Sequence, residues 1–300
     1  MAQPANLILK EGAMKPVSRF VLAILAILIL SACGSTPTRY LTFTVRAQNS
    51  EIWMLDTSND KLLNLSNKSS DDIWQTWSPD GRYLAFTSDR SGNLDIWILD
   101  TKKEVVFNYT NNPEDEGWPT WSPDGKYLAY ASNREGTYDI WRMNSDGTNR
   151  INLTPGDGDD GLPAWSPDSQ RIVFSSNRNG NYDLYIVSVN GGELEQITSD
   201  EADDIMPAWS PDGKKIAFVS KRDGNSEIYL YDIASKGVTN LTKNPYNDET
   251  PAWYPDGSRI LFVSERFDNQ WDVYSMKPDG SEVRRLTHDE LQEFHPMWRP

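Results

Sequence analysis

Six carboxylic acids recur at one fixed place in this chain. Asp72, Glu116, Asp160, Asp204, Asp248 and Glu293 each stand five residues before a tryptophan. Gathered around one opening, six like charges would draw in cations, Ca2+ in or near a channel among them. Two such acids of unequal proton affinity would also serve a glycosidase or a lyase. A plainer use comes from the arginines 13 residues after five of those tryptophans, Arg90, Arg134, Arg178, Arg222 and Arg266. Acid–arginine pairs would staple loops together. A second acidic series, Glu51, Asp95, Asp139, Asp183, Glu227 and Asp272, competes for the same guanidiniums.

Other reactive groups are sparse. His288 and His295 enclose Asp289, Glu290 and Glu293, but their spacing matches no standard zinc pattern. Asp157, Asp159 and Asp160 lie among glycines without the remaining ligands of an EF-hand loop. No metal site is assigned. Gly-x-Ser-x-Gly, a phosphate-binding glycine loop and His-Glu-x-x-His are all missing, so no enzyme is expected. A carboxylate-based lyase or glycosidase is the alternative.

The elements that position these groups follow from the tryptophans. Trp-Ser-Pro-Asp-Gly, or a one-residue variant of it, begins at Trp77, Trp121, Trp165, Trp209 and Trp253, 44 residues apart, and Trp298 follows 45 residues later. A period of roughly 40–50 residues with strand-like content predicts a β-propeller of four-stranded blades. Each Trp ends an innermost strand, and the Pro and Gly that follow suit a tight turn. Ser169 replaces the glycine once and should strain its turn. The second strand is continuously apolar, as in Ile216-Ala217-Phe218-Val219, which implies burial on both faces. Six second strands and six first strands are present, but no first strand precedes Tyr40. The strand ending at Trp298 must therefore join the N-terminal blade and close a six-bladed, all-β ring.

The N-terminus carries a different message. Lys15 and Arg19 precede an apolar run from Phe20 to Leu30 and then Leu30-Ser31-Ala32-Cys33. Basic residues, a short apolar core and small residues at a cut site make a secretory signal. Residues 1–32 are read as that signal, 33–39 as Cys33 with a short polar tether, and 40–300 as the propeller. Leu-Ser-Ala-Cys resembles the bacterial lipobox, which implies cleavage before Cys33 and lipid on its thiol. Cys33 is the single cysteine, so the propeller has no disulfide and relies on packing. With no Asp after the cysteine, the periplasmic side of the outer membrane is expected in a Gram-negative cell. Met14 is a second candidate start. The net charge is −15 over 300 residues, which repels phosphate backbones and argues against nucleic-acid binding.

The full repeat reads acid, Pro-x-Trp-Ser-Pro-Asp-Gly, an apolar strand, Ser-x-Arg-x-Gly and Asp-Ile-Tyr or Asp-Ile-Trp. It resembles the TolB-type propeller repeat, also known as PD40 or WD40-like, over residues 40–300. The resemblance implies a noncatalytic scaffold that binds a protein or peptide of the cell envelope, in envelope maintenance or transport, as a monomer. It does not extend to the α/β domain that precedes the propeller in TolB proper. Recognition on a repeat scaffold belongs to its variable positions. Three residues before each Trp stand Trp74, Trp118, Leu162, Met206, Thr250 and His295. Loops between second and third strands add Tyr138, Tyr182, Phe267 and Trp271, the last two in the insertion behind the 45-residue interval. Trp74, Trp118, Tyr138, Tyr182, Phe267, Trp271 and His295 are the candidate partner-binding residues, with packing between blades the plainer account of each.

Overall fold

The structure is a computed structural model that describes residues 40–59, 61–66, 68–287 and 291–300. Residues 1–39, with the expected secretory signal, Cys33 and tether, and His288, Asp289 and Glu290 lie outside the described residues. Six four-stranded antiparallel sheets make up the chain from Tyr40 onward. Their innermost strands are Gln292–Trp298 in blade I, then Asp72–Trp77, Glu116–Trp121, Asp160–Trp165, Asp204–Trp209 and Asp248–Trp253 in blades II to VI. Each of these strands touches the next, and Gln292–Trp298 touches Asp72–Trp77, so the ring closes. Within blade I, Tyr40–Arg46 pairs with Gln292–Trp298 on one side and Ser50–Asp56 on the other. The C-terminal strand thus completes the N-terminal blade, as the strand count requires.

The second strands bury both faces. Phe43, Phe86, Tyr130, Phe174, Phe218 and Phe262 occupy one equivalent position per blade and are all 2% exposed or less. Each such ring removes enough apolar surface from water to stabilise the fold by roughly 1.5–3 kcal/mol. Flanking Ile, Leu, Val and Ala residues complete six core clusters that bridge neighbouring blades.

Turn chemistry sets the register. In the turn after Trp77, the Ser78 hydroxyl donates to Asp80 and accepts from the Tyr83 amide, while the Gly81 amide returns to the Ser78 carbonyl. Ser169 adopts φ +59° where other blades place Gly, as its turn demands. Its hydroxyl accepts the Asp124 amide of the preceding blade at 3.1 Å, which offsets part of the strain. In blade VI the extra residue lengthens the hairpin. Asp268 and Asn269 both take positive φ between the paired Phe267 and Gln270, the geometry of a type I′ turn.

Candidate functional site

The acidic series five residues before each Trp does not face open water. Asp72, Glu116, Asp160, Asp204, Asp248 and Glu293 are at most 1% exposed. Five of them meet the arginines: Arg90–Asp72 at 2.6 Å, Arg134–Glu116 at 2.9 Å, Arg178–Asp160 at 2.7 Å, Arg222–Asp204 and Arg266–Asp248 at 2.8 Å. Each arginine Nε also donates to the Ser two residues earlier, and each guanidinium lies over an aromatic ring of its blade, such as Trp141 at 4.5 Å from Arg134. These contacts are staples. The five arginines pair with this first series, while Asp272 of the second takes a different guanidinium, Arg285 at 2.9 Å. Asp95 instead accepts from Ser91, Asn108 and Thr110. Burial, opposed by the Asn152 amide and reinforced by the Asp160 charge, raises the Asp139 carboxyl to about 6.

The acids that do reach the rim stand one residue earlier. Asp71, Asp115, Asp159 and Asp203 are exposed or half-buried, and each accepts a backbone amide from the preceding blade, at Ser50, Leu94, Tyr138 and Tyr182. Their four-fold recurrence six residues before Trp was the available sequence signal. Burial first, then these charges, raise the Tyr138 and Tyr182 phenols.

The channel itself is lined by the residues three and two before each Trp, from all six blades, around a cavity of ≈ 180 Å³. Register breaks across these residues in every inner strand, for example between Ile73 and Thr76, the mark of a β-bulge. The first bulge residue is left-handed in each blade: Trp74 φ 55°, Trp118 53°, Leu162 56°, Met206 55°, Thr250 52° and His295 51°. No glycine relieves any of them, although left-handed backbone at bulky residues is costly and clusters at functional sites.

Those side chains are arranged unevenly. Tyr138 meets Trp118 edge-on at 5.7 Å, Trp118 meets Trp74 at 6.2 Å, and the Trp74 and His295 centroids are 3.5 Å apart. Phe294 then leads from His295 to Trp271 at 5.7 Å. A continuous aromatic run therefore crosses blades III, II, I and VI. Blades IV and V contribute only Leu162 and Met206 at the equivalent places. Gln75, which stands where the other five blades have Pro, donates to the His295 carbonyl at 2.7 Å and accepts from Thr44, clamping His295 beside Trp74. Desolvation, then the Arg46 charge, lowers the His295 imidazole to about 3, so it is neutral at pH 7. Its Nδ1, the Trp118 indole nitrogen and the Thr250 hydroxyl are buried without a partner.

Two candidates fall outside this run. Phe267 is half exposed beneath the Arg285 guanidinium, 4.1 Å away, and Tyr182 makes no ring contact with the others. Among the described residues no group of three His, Cys, Asp or Glu is placed to hold a metal, and no helix is long and apolar enough to cross a membrane.

Comparison with known proteins agrees with this architecture. The structure of TolB from Acinetobacter baumannii is similar with a TM-score of 0.74 at 21% identity, over 87% of this chain and 66% of that one. A putative TolB from Agrobacterium tumefaciens gives 0.70 at 22% identity, over 87% and 98%. An oligogalacturonate lyase in complex with manganese gives 0.58 at 18% identity, over 82% and 72%. No curated protein sequence matches. At these identities the likenesses establish the propeller fold alone. Residues 96–206 and 195–300, more than half of the chain, match the sequence model of the TolB beta propeller domain, PD40, and the chain belongs to that family.

Proposed function

We propose that this propeller is a noncatalytic scaffold that binds a protein or peptide segment of the cell envelope at its channel, as a monomer exported under its N-terminal signal and held to the membrane by lipid on Cys33. The observation that carries the binding reading is the set of left-handed bulges. The scaffold accepts six strained, non-glycine residues at the channel wall and fills them with Trp, Trp, Leu, Met, Thr and His, while an acid two residues earlier recurs in all six blades and a proline just after in five. Four adjacent blades turn this freedom into an aromatic run that offers broad, rigid contact area beneath an acidic rim. An apolar or basic segment suits that surface. A role in envelope maintenance or transport is in keeping with the TolB family.

The test is crosslinking of the full-length chain in envelope extracts, compared with a Trp74→Ala/Trp118→Ala variant. A partner enriched by the parent and lost from the variant supports the reading. Equal capture by both, together with turnover of a glycan such as an oligogalacturonate, would replace it with the lyase alternative. For the anchor, Cys33→Ala should release the protein from membranes. Retention would point to an uncleaved N-terminal helix.

A further inference from the structure

The junctions between blades repeat one arrangement at four of six places, and two depart from it. At four junctions the repeat Trp carries a large side chain of the preceding blade: Arg299 lies 4.6 Å over Trp77, Tyr127 stacks 6.2 Å from Trp165, Arg171 lies 5.0 Å over Trp209, and Tyr254 meets Trp298 edge-on at 5.2 Å. At a fifth, the Trp253 indole donates to the Ala208 carbonyl at 3.1 Å. Trp121 has neither. Among the described residues no aromatic or guanidinium group pairs with its ring, and its buried Nε1 finds no acceptor.

In place of a filler is a cleft of ≈ 520 Å³ between blades II and III, walled by Trp121, Tyr83, Tyr109 and the exposed Phe107. Ile98 on its wall holds the place that Arg142 takes 44 residues later, where the guanidinium sits 4.2 Å over Tyr127, the counterpart of Tyr83. Three exposed carboxylates border the cleft. Asp80 and Asp146 accept only from nearby hydroxyls and backbone amides, Ser78 and Thr148 at 2.6 Å, while Asp124 shares Lys126 at 3.0 Å. The neighbouring cations are committed elsewhere: Arg82 to Asp100 at 2.7 Å, over the Tyr83 ring, and Arg150 to the Tyr109 carbonyl at 2.8 Å.

We propose that this cleft is a second docking site, distinct from the channel, that takes an arginine side chain of a peptide or protein partner. The incoming guanidinium lies on the Trp121 face, as Arg299 and Arg171 do on theirs, with its charge met by Asp124, Asp146 and Asp80. A planar, weakly hydrated guanidinium stacks on indole and still donates at its edge to carboxylates, which an ammonium cannot match. Phe107, at the outer end, covers the residue beside the arginine.

The probe is acetyl-Gly-Arg-Gly-amide, titrated into the full-length chain in detergent, with the neutral citrulline peptide and the lysine peptide as controls. The readout is the Trp121 indole N–H resonance, assigned by its loss in Trp121→Phe. A saturable shift with the arginine peptide, none with citrulline, and affinity lowered roughly threefold to tenfold by Asp124→Asn/Asp146→Asn is expected. Ile98→Arg should abolish the shift by filling the cleft from within, and the exposed aspartate pair keeps the test informative if that variant fails to fold. Equal shifts with arginine and citrulline, no dependence on the aspartates, or an unmoved Trp121 resonance would each overturn the proposal.

Discussion

Removing the guanidinium from one staple should destabilise the propeller in a pH-dependent way. Arg178 donates from Nη2 to both oxygens of Asp160 at 3.0 and 2.7 Å and from Nε to Ser176 at 2.8 Å, with its guanidinium 5.3 Å from the Tyr185 ring. Asp160 is 1% exposed, and even with this partner burial holds its carboxyl above the ordinary 3.8, against the opposing pull of Ser176, Thr154 and Arg178. Arg178→Met keeps an apolar stem but leaves that carboxylate buried without its counter-charge. Breaking a buried pair from one side costs about 3–5 kcal/mol. At roughly 2–4 °C per kcal/mol for a domain of this size, Tm should fall by about 6–20 °C at pH 7. The sign with pH follows from linkage. With Arg178 gone the folded-state pKa rises further above the unfolded value, so the penalty is absent below the unfolded pKa and grows as pH rises through the folded one. Equilibrium urea unfolding at pH 7 and pH 4 should therefore show a large loss at the first and a small one at the second. Asp160→Asn added to Arg178→Met should recover part of the loss at pH 7. The reasoning fails if Arg178→Met costs under about 1 kcal/mol at pH 7, or costs the same at both pH values.

Asp139→Asn should be stabilising above about pH 6. The parent carboxyl, raised to about 6 by burial, is held protonated by the fold, and that stabilisation is lost as pH rises from the unfolded value through 6. Thermal shifts at pH 7.5 and pH 4 should show the Asn advantage only at the higher pH. Gly280→Ala should cost about 2–4 kcal/mol by urea titration, since the added Cβ would lie 2.4 Å from the Leu241 carbonyl oxygen at a φ of +82°. Trp74 fluorescence, isolated by difference against Trp74→Phe, should be flat from pH 5 to 8, because the adjoining His295 is already neutral there. A transition near the ordinary histidine value would show that the imidazole is solvated.

Much of the scaffold was legible because it is built from local chemistry. Pro and Gly at fixed offsets from Trp dictate turns, apolar second strands dictate two-sided burial, and counting strand types dictates closure at Trp298. The acid–arginine geometry was legible only as two competing uses, since spacing shows that Asp72 and Arg90 share a face but not that the carboxylate is shut away from the channel. The bulges were hidden. Trp, Leu, Met, Thr and His carry no mark of positive φ, and the available sign was the proline that follows five of the six inside a strand, at Pro119, Pro163, Pro207, Pro251 and Pro296. The cleft at Trp121 was beyond reach for another reason. Ile98 stands where, one blade on, Arg142 covers Tyr127, and an unfilled volume appears only once blades are packed side by side.

The shared N- and C-terminal blade changes how the molecule can come apart. An open stack of repeats sheds its end units first, because each end unit gives up only one neighbour. This ring has no end unit: releasing any blade breaks two interfaces at once, and releasing blade I also requires two hydrogen-bonded ladders to slide past Tyr40–Arg46, which lies between Gln292–Trp298 and Ser50–Asp56. A pull applied ahead of Tyr40 therefore works against two ladders rather than one. The point at which the chain enters its fold is also a point at which the fold resists being drawn out.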